Sequence, residues 1–358
     1  MTNIMGFKIE NDGPVYLCSD SQSTSEDDRG PIDKRPSQKL FYQDGVLFVS
    51  SGNRRRILEL REAVRDEKKA SVKDIMEKML AKAKDTSVNR ENPNELIRTF
   101  LAGTEDGHPV LYSLNPWGEK NREPYYEKIG FAVLGGAGQS QTGPAIERDI
   151  EMGGISLNDT AEGMALCFSY GQRAGRNIYV DDNFQIGIVG QDFSRTLYHP
   201  QVELGKGTSM ADYYSYFVTN FDVETEMAIE AGKPVYEKIF RDAYASLNDL
   251  YQALLINCTH MNHLSTVINR CNVMSASDRE GRSGYEESRR SAIEERDMYK
   301  EYASELINAW ISGDARKIDA VLKSHAYRRF ESYERAGMYF GKSEQLTLGL
   351  REPVQRSE

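Results

Sequence analysis

The chain has 358 residues, a formal net charge of −10 and a pI near 5.3, and 39% of its residues are hydrophobic. This apolar share supplies a sizeable buried core, and the length suits about two to three domains of roughly 100–200 residues each. The acidic balance argues against binding to nucleic acid or to an anionic membrane, because no broad basic field attracts phosphate.

Four cysteines in a chain of this length do not suggest a disulfide framework. No basic-then-apolar leader opens the sequence, and no apolar run reaches the ~18 residues that a membrane span needs. We therefore predict a soluble, cytoplasmic protein that binds neither nucleic acid nor membrane.

The start of the chain predicts two β-hairpins separated by a loop. The paired strands are residues 3–9 with 15–18, and residues 39–42 with 46–49. Asn11-Asp12-Gly13 closes the first hairpin and Asp44-Gly45 closes the second, and both are strong turn sequences. The polar segment at 21–35 contains Gly-Pro and predicts a loop or an irregular edge between the hairpins.

Helices and strands alternate from there to residue 189. The periodicity predicts helices at 53–66 and from residue 71, strands at 96–102, 110–114 and 128–134, helices at 142–150 and 159–171, and a strand at 184–189. This order suits two packed antiparallel sheets with helices on both outer faces. The sequence therefore predicts an α+β layered sandwich rather than a βαβ fold.

The remainder of the chain, from residue 210, reads as helical almost throughout. Long amphipathic stretches cover 234–271, 285–310 and 315–333. We predict a first domain at 1–195, a helical domain at 208–341 and a flexible tail at 342–358. Such helices suit a hairpin or bundle that caps the first domain, recruits a substrate or controls the oligomeric state.

Thr2 stands directly after Met1, and a small second residue permits removal of the initiator methionine. Thr2 would then carry a hydroxyl and a free α-amine on one residue. An α-amine titrates near ~7.7–8.0, which suits a general base at neutral pH. Threonine activated by its own terminal amine is a recognised nucleophile, so Thr2 is the candidate nucleophile.

Seven segments, in order along the chain, resemble proteasome β-type subunits, a family of N-terminal-nucleophile hydrolases. The segments are residues 1–7, 15–21, 38–41, 48–52, 100–112, 115–118 and 134–138. The resemblance covers about residues 2–189 and implies a four-layer αββα sandwich. It further implies a threonine-type peptidase that acts on peptides or proteins without a cofactor or metal, in a homo-oligomer or proteasome-like assembly.

The resemblance also assigns roles to individual residues. Thr2 would be the nucleophile and its amine the base, and Asp20 would pair with Lys39 and orient it. As a cation in a partly desolvated site, Lys39 would favour an alkoxide-like hydroxyl and a neutral amine at Thr2. The oxyanion would face a backbone N–H from one of Ser50, Ser51 and Gly52.

The chain departs from the family pattern in the proton relay. The serine of the family's Gly-Ser-Gly-Ser turn is replaced by Gly136 or, with a shift of one residue, by Ala137, and Ser140 lies nearby. The family's aspartate before the last strand is replaced by Asn177, which Asp181 follows. The candidate auxiliary residues of the site, at or near the family's proton-relay positions, are therefore Gly136, Ser140, Asn177 and Asp181.

These departures leave three functions open. An acyl-enzyme on Thr2 could be hydrolysed by water, which gives proteolysis, or attacked by another amine, which gives transpeptidation or ligation. A non-catalytic homologue could instead act in assembly or binding through its helical domain.

One cluster of metal-ligand residue types lies in the predicted helical region. Its members are Cys258, His260, His263 and Cys271. On a continuous helix Cys258 and His260 point about 200° apart, so they cannot share one ion. We therefore predict packing and surface roles for these residues and no metal site.

Overall fold

The computed structural model describes residues 3–9, 12–20, 22–27, 30–36, 38–43, 45–65, 67, 70–85, 97–118, 123–130, 132–136, 143–144, 159–174, 184–198, 233–277 and 281–324. Within these ranges the protein combines α-helices with antiparallel β-sheets, which confirms the α+β class. The predicted helix at 142–150 lies outside them except for residues 143–144, and the predicted tail at 342–358 lies wholly outside them.

The described strands form two five-stranded sheets and one two-stranded sheet. They are β1 (Asn3–Lys8), β2 (Val15–Asp20), β3 (Gln22–Asp27), β4 (Gly30–Pro36), β5 (Leu40–Gln43), β6 (Val46–Gly52), β7 (Ile97–Glu105), β8 (His108–Asn115), β9 (Tyr125–Ile129), β10 (Ala132–Gly136), β11 (Phe184–Val189) and β12 (Ser194–Tyr198). The first sheet has the order β10-β1-β2-β11-β12, and the second has the order β5-β6-β7-β8-β9.

Both predicted hairpins form. β1 pairs with β2, and β5 pairs with β6, in antiparallel register. Asp12 and Gly45 in the two turns have φ angles of 63° and 91°. This left-handed conformation is the one that turns containing Asp-Gly require, so local turn chemistry sets both hairpins.

The structure differs from the prediction in two segments. The segment at 21–35, predicted to be a loop or an irregular edge, contains most of the two-stranded sheet β3–β4. Its polar sequence lacks the apolar alternation on which strand prediction depends. The single strand predicted at 128–134 is two strands, β9 in the second sheet and β10 in the first. The short strand β12 was not predicted.

The two large sheets face each other closely at two glycines. A Cβ on Gly6 of β1 would lie 2.9 Å from Leu111 Cδ1 of β8, and a Cβ on Gly187 of β11 would lie 2.7 Å from Leu47 Cδ1 of β6. A side chain at either position would therefore require the facing leucine to move, so both glycines permit this close approach of the sheets. Buried apolar residues of both sheets fill the space, among them Ile4, Leu17, Leu40, Val49, Phe100 and Ala102.

Helices lie against both sheets. α1 (Arg54–Val64) and α2 (Val72–Lys84) pack on the second sheet, and α3 (Thr160–Ala174) packs on the first. The side chain of Asn53 caps the start of α1, and a capping box at Ser71–Asp74 begins α2. Polar residues at helix starts thus fix where the covering helices begin.

Three further helices follow the sheets: α4 (Lys233–Ser277), α5 (Arg282–Ser312) and α6 (Ala315–Ser324). α4 and α5 pack against each other, α3 and β12, and their buried side chains join those of the first sheet in one apolar cluster. They therefore form an additional layer outside α3. The predicted domain boundaries at residues 195 and 208 stay predictions.

None of the described helices combines the length and the apolarity that crossing a bilayer requires.

Candidate active site

A buried ion pair joins the end of β2 to the residue before β5. Lys39 Nζ lies 2.8 Å from Asp20 Oδ2, and the two side chains are 9% and 0% exposed. The charge-assisted hydrogen bond offsets part of the cost of removing both charges from water. The structure thus brings together two of the three residues predicted to be catalytic.

The other carboxylate oxygen of Asp20 holds the start of β1. The Asn3 N–H donates to Asp20 Oδ1 at 2.8 Å, and both residues are buried. Thr2 lies outside the described residues, but its carbonyl carbon is covalently bonded to this Asn3 nitrogen. Asp20 therefore connects Lys39 to the peptide group that Thr2 and Asn3 share.

Gln185 of β11 holds the backbone at Lys39. Its side-chain oxygen Oε1 accepts the Lys39 N–H at 2.8 Å and the Leu40 N–H at 3.0 Å, and the residue is completely buried. Sequence reasoning missed Gln185. The available signal was a polar side chain within the otherwise apolar strand Phe184–Val189.

The predicted oxyanion turn is the end of β6. Ser50 and Ser51 are buried, and the Ser50 hydroxyl lies 2.8 Å from the Thr99 hydroxyl of β7. Gly52 is exposed and has a φ of 121°, which glycine adopts without the strain that a Cβ would cause. Since alternate residues of an antiparallel strand donate their backbone N–H groups to the neighbouring strand, only part of the segment 50–52 can offer an N–H to an oxyanion.

The turn lies at the same end of the sheets as the start of β1. Ser51 pairs with Arg98 of β7, while Ile4 pairs with Gly135 of β10. A Cβ on Gly135 would lie 3.2 Å from both Arg98 Cδ and Ile4 Cγ1. The Arg98 side chain therefore extends from β7, opposite Ser51, to Gly135 in the first sheet, whose partner Ile4 follows Asn3.

Of the auxiliary positions, the structure describes Gly136. It ends β10 and pairs with Asn3, so the position expected for the family's turn serine lies opposite the residue that follows Thr2. The other three, Ser140, Asn177 and Asp181, lie outside the described residues, so their placement stays a prediction.

The Cys258–His260–His263–Cys271 cluster lies on the continuous helix α4. The Cys258 and Cys271 thiols are free and buried, and the His260 ring stacks on Tyr299 with 4.9 Å between ring centroids. Burial raises the pKa of the Cys258 thiol, which disfavours the reactive thiolate. Among the described residues, no three or more ligand side chains are grouped to hold a metal ion.

The arrangement at Asp20 suits electrostatic catalysis. A buried ammonium that is held in place by a carboxylate interacts more strongly with a neighbouring anionic oxygen than a hydrated ammonium does, because the local dielectric is low. The Asn3 contact puts this ammonium, through one carboxylate, beside the first peptide group of β1.

The chain matches no protein-family model and no curated protein sequence.

Proposed function

We propose that the protein is a threonine-type N-terminal-nucleophile amidohydrolase with the four-layer αββα sandwich of proteasome β-type subunits. It would cleave peptides or proteins through an acyl-enzyme on Thr2. One observation carries the proposal: Asp20 accepts hydrogen bonds at 2.8 Å from both Lys39 Nζ and the Asn3 nitrogen, to which Thr2 is covalently joined. Two facing sheets with helices packed on each support the fold.

In the proposed reaction, the Thr2 hydroxyl oxygen attacks the carbonyl carbon of the scissile amide, and the Thr2 α-amine takes the hydroxyl proton. A backbone N–H of the turn at 50–52 donates to the resulting oxyanion. The C–N bond then breaks, and the protonated α-amine of Thr2 passes its proton to the leaving amine. An ester remains on Thr2. Water, deprotonated by the same amine, attacks the ester, releases the acid product and restores the hydroxyl.

Lys39 and Asp20 assist this reaction without forming bonds to the substrate carbon. The Lys39 ammonium would stabilise negative charge on the Thr2 oxygen and disfavour premature protonation of the α-amine. Asp20 holds that ammonium and, through the Asn3 N–H, the strand that carries Thr2. One carboxylate therefore aligns the cation and the nucleophile with each other.

Covalent labelling tests the proposal. A peptide epoxyketone forms a cyclic adduct only with a residue that offers both a hydroxyl and a free α-amine. Peptide mapping should therefore place the adduct on Thr2. Intact mass should show that Met1 is absent. Thr2→Ala should lose labelling and at least ~10³-fold of peptide hydrolysis, while the matched variant Thr2→Ser should keep both in part.

Two outcomes would exclude Thr2 as the nucleophile. One is a protein that hydrolyses peptides while it retains Met1, since the α-amine is then blocked. The other is a Thr2→Ala variant that cleaves at the wild-type rate. Addition of an amine nucleophile to the assay separates hydrolysis from transpeptidation, because a ligated product forms only if the amine competes with water for the ester.

The second candidate function is non-catalytic assembly or binding through α4–α6. Gly136 favours it, because the position expected for a relay serine carries no hydroxyl and lies opposite Asn3. Native mass spectrometry should show a homo-oligomer or a proteasome-like ring in either case. A folded oligomer that has lost Met1, yet neither takes the epoxyketone nor hydrolyses peptides, would support this candidate over the peptidase.

A further inference from the structure

Two consecutive backbone amides converge on one side-chain oxygen beside the candidate site. The Lys39 and Leu40 N–H groups donate to Gln185 Oε1 at 2.8 Å and 3.0 Å. Both donors and the acceptor are buried, so water cannot readily replace these bonds. A single oxygen therefore fixes the chain at the point where β5 begins.

The contact crosses from one sheet to the other. Gln185 belongs to β11 of the first sheet, whereas Leu40 opens β5, which among the described strands is one of the two edge strands of the second sheet. An edge strand leaves backbone N–H groups without a neighbouring strand to accept them. Gln185 supplies an acceptor to Leu40 at the start of this edge strand and to the preceding residue, Lys39, and so fixes the position of the Lys39 backbone relative to the first sheet.

The strand next to β11 carries Asp20, whose carboxylate binds the Lys39 ammonium. Gln185 lies opposite Ser19 of β2, and Asp20 is the next residue along that strand. The acceptor for the Lys39 backbone and the acceptor for the Lys39 ammonium thus stand on adjacent, hydrogen-bonded strands. Both ends of one lysine are held by a rigid frame, which is the requirement for a pre-organised cation.

We propose that Gln185 is a positioning residue that aligns the Lys39 ammonium with Asp20 and, through it, with the nucleophile. This inference rests on the proposed function for its catalytic consequence, but the alignment itself can be measured without activity. Gln185 touches neither the substrate nor the reacting atoms in this role. It acts through the backbone of Lys39.

A pair of near-isosteric variants tests the inference in the full chain. Gln185→Met keeps the length of the side chain but removes the acceptor, whereas Gln185→Glu keeps an acceptor oxygen. Hydrogen exchange at the Lys39 and Leu40 amides should accelerate at least ~10-fold in Gln185→Met and remain near wild type in Gln185→Glu. Labelling of the Lys39 amine, normalised to exposed Lys128, should rise in Gln185→Met alone.

The kinetic expectation separates positioning from general stability. In Gln185→Met, kcat for peptide hydrolysis should fall about 10–100-fold with KM nearly unchanged, because misplacement by about 1 Å costs this much. Gln185→Glu should retain most of the wild-type kcat. If Gln185→Met fails to fold, Gln185→Asn, which is shorter by one methylene, replaces it with the same expected pattern.

Each outcome has a distinct meaning. Unchanged amide exchange and Lys39 labelling in Gln185→Met would overturn the inference, and so would an unchanged kcat in a protein whose wild type is active. If the wild type neither hydrolyses peptides nor takes the epoxyketone, the proposed function has failed. A Lys39 response confined to Gln185→Met would then still establish the alignment.

Discussion

Two buried carboxylates of this protein are held by cations, yet their surroundings differ. The Asp20 carboxylate accepts hydrogen bonds from the Lys39 ammonium and from the Asn3 backbone N–H. Glu162 at the start of α3 is met by Arg296 Nη2 at 2.6 Å and Lys300 Nζ at 2.9 Å. The Glu162 side chain is 5% exposed, so burial alone does not distinguish it from Asp20.

Asp20 and Glu162 differ in which segments of the chain supply their hydrogen-bond partners. Both cations at Glu162 come from α5, four residues apart, so the contact joins one helix to another and holds the outer layer on α3. Two described partners of Asp20, Lys39 and Asn3, come from separate parts of the chain, and the Asn3 nitrogen belongs to the peptide group that Thr2 and Asn3 share. Burial of an ion pair therefore does not by itself indicate a catalytic role. The other groups that the pair contacts distinguish a candidate catalytic pair from a structural one.

Among variants that compare the Asp20 contact with the Glu162 contact, Lys39→Met should have the largest effect. Loss of the ammonium should lower peptide hydrolysis about 10²–10³-fold. The buried Asp20 left without its cation should lower the free energy of unfolding by about 3–5 kcal/mol. Steady-state kinetics and urea unfolding measure the two effects.

The double variant Asp20→Asn/Lys39→Met provides the control. It removes both charges and keeps an oxygen for the Asn3 N–H, so part of the lost stability should return while activity stays low. If activity returned together with stability, the Asp20 pair would be a structural contact of the same kind as the one at Glu162.

Two glycine-to-alanine variants compare backbone strain at the candidate site with the same strain in the turn of the second hairpin. Gly52→Ala and Gly45→Ala each place a Cβ on a residue with positive φ, 121° and 91° respectively, and each should cost about 1–3 kcal/mol of unfolding free energy. Only Gly52→Ala should also lower kcat, since its turn carries the proposed oxyanion donors. Equal loss of kcat in both variants would remove the turn at 50–52 from the proposed mechanism.

Glu162→Gln should have a smaller effect than Lys39→Met. The Arg296 and Lys300 side chains are 20% and 27% exposed and can turn toward water when the carboxylate is neutralised. We expect a loss of about 1–2 kcal/mol in urea unfolding, with kcat within about twofold of wild type. A kcat that fell as far as in Lys39→Met would show that the helical layer takes part in the reaction.

The smallest effect is the pH dependence of the Glu162 contact. Burial lowers the pKa of Lys300, but the hydrogen bonds and charges of Glu162 and Asp159 outweigh this effect, so the pKa lies above its ordinary value of 10.5. The stabilisation is therefore complete below the ordinary pKa of the unfolded chain and is lost as the pH rises through the higher folded pKa. The urea midpoints of wild type and Lys300→Met should converge above that range.

Lys323→Met on α6 is the matched control for this measurement. Lys323 and its partner Asp319 are 75% and 47% exposed, so the difference from wild type should be small at every pH. A difference between wild type and Lys300→Met that grew in alkali would contradict the assigned direction of the Lys300 pKa.

Local chemistry made part of this fold predictable from sequence. The turns at Asp12 and Gly45 and the caps at Asn53 and Ser71 act within a few residues, so their sequences predict the hairpins and the starts of α1 and α2. The ribbon β3–β4 could not be found in this way, because a polar sequence carries no apolar period. The division of 128–134 depends on which sheet each half joins, which is a non-local choice.

The candidate site divides in the same manner. An ordered resemblance named Asp20 and Lys39, and the structure places them 2.8 Å apart. Gln185 carries no such motif, and its contact with Lys39 spans 146 residues and two sheets. Sequence shows that a polar residue interrupts β11, but the identity of its partner depends on how the sheets stack.

The contact between α4 and the first sheet has a consequence for biosynthesis. The Phe184 N–H donates to the Tyr251 hydroxyl at 3.1 Å, and the Tyr251 ring meets Phe168 edge-on. Tyr251 is translated 67 residues after Phe184, so a nascent chain that has just completed β12 still presents the uncovered flank of α3. Until the ribosome delivers α4, that flank is an apolar surface on which chaperones or other nascent chains can act.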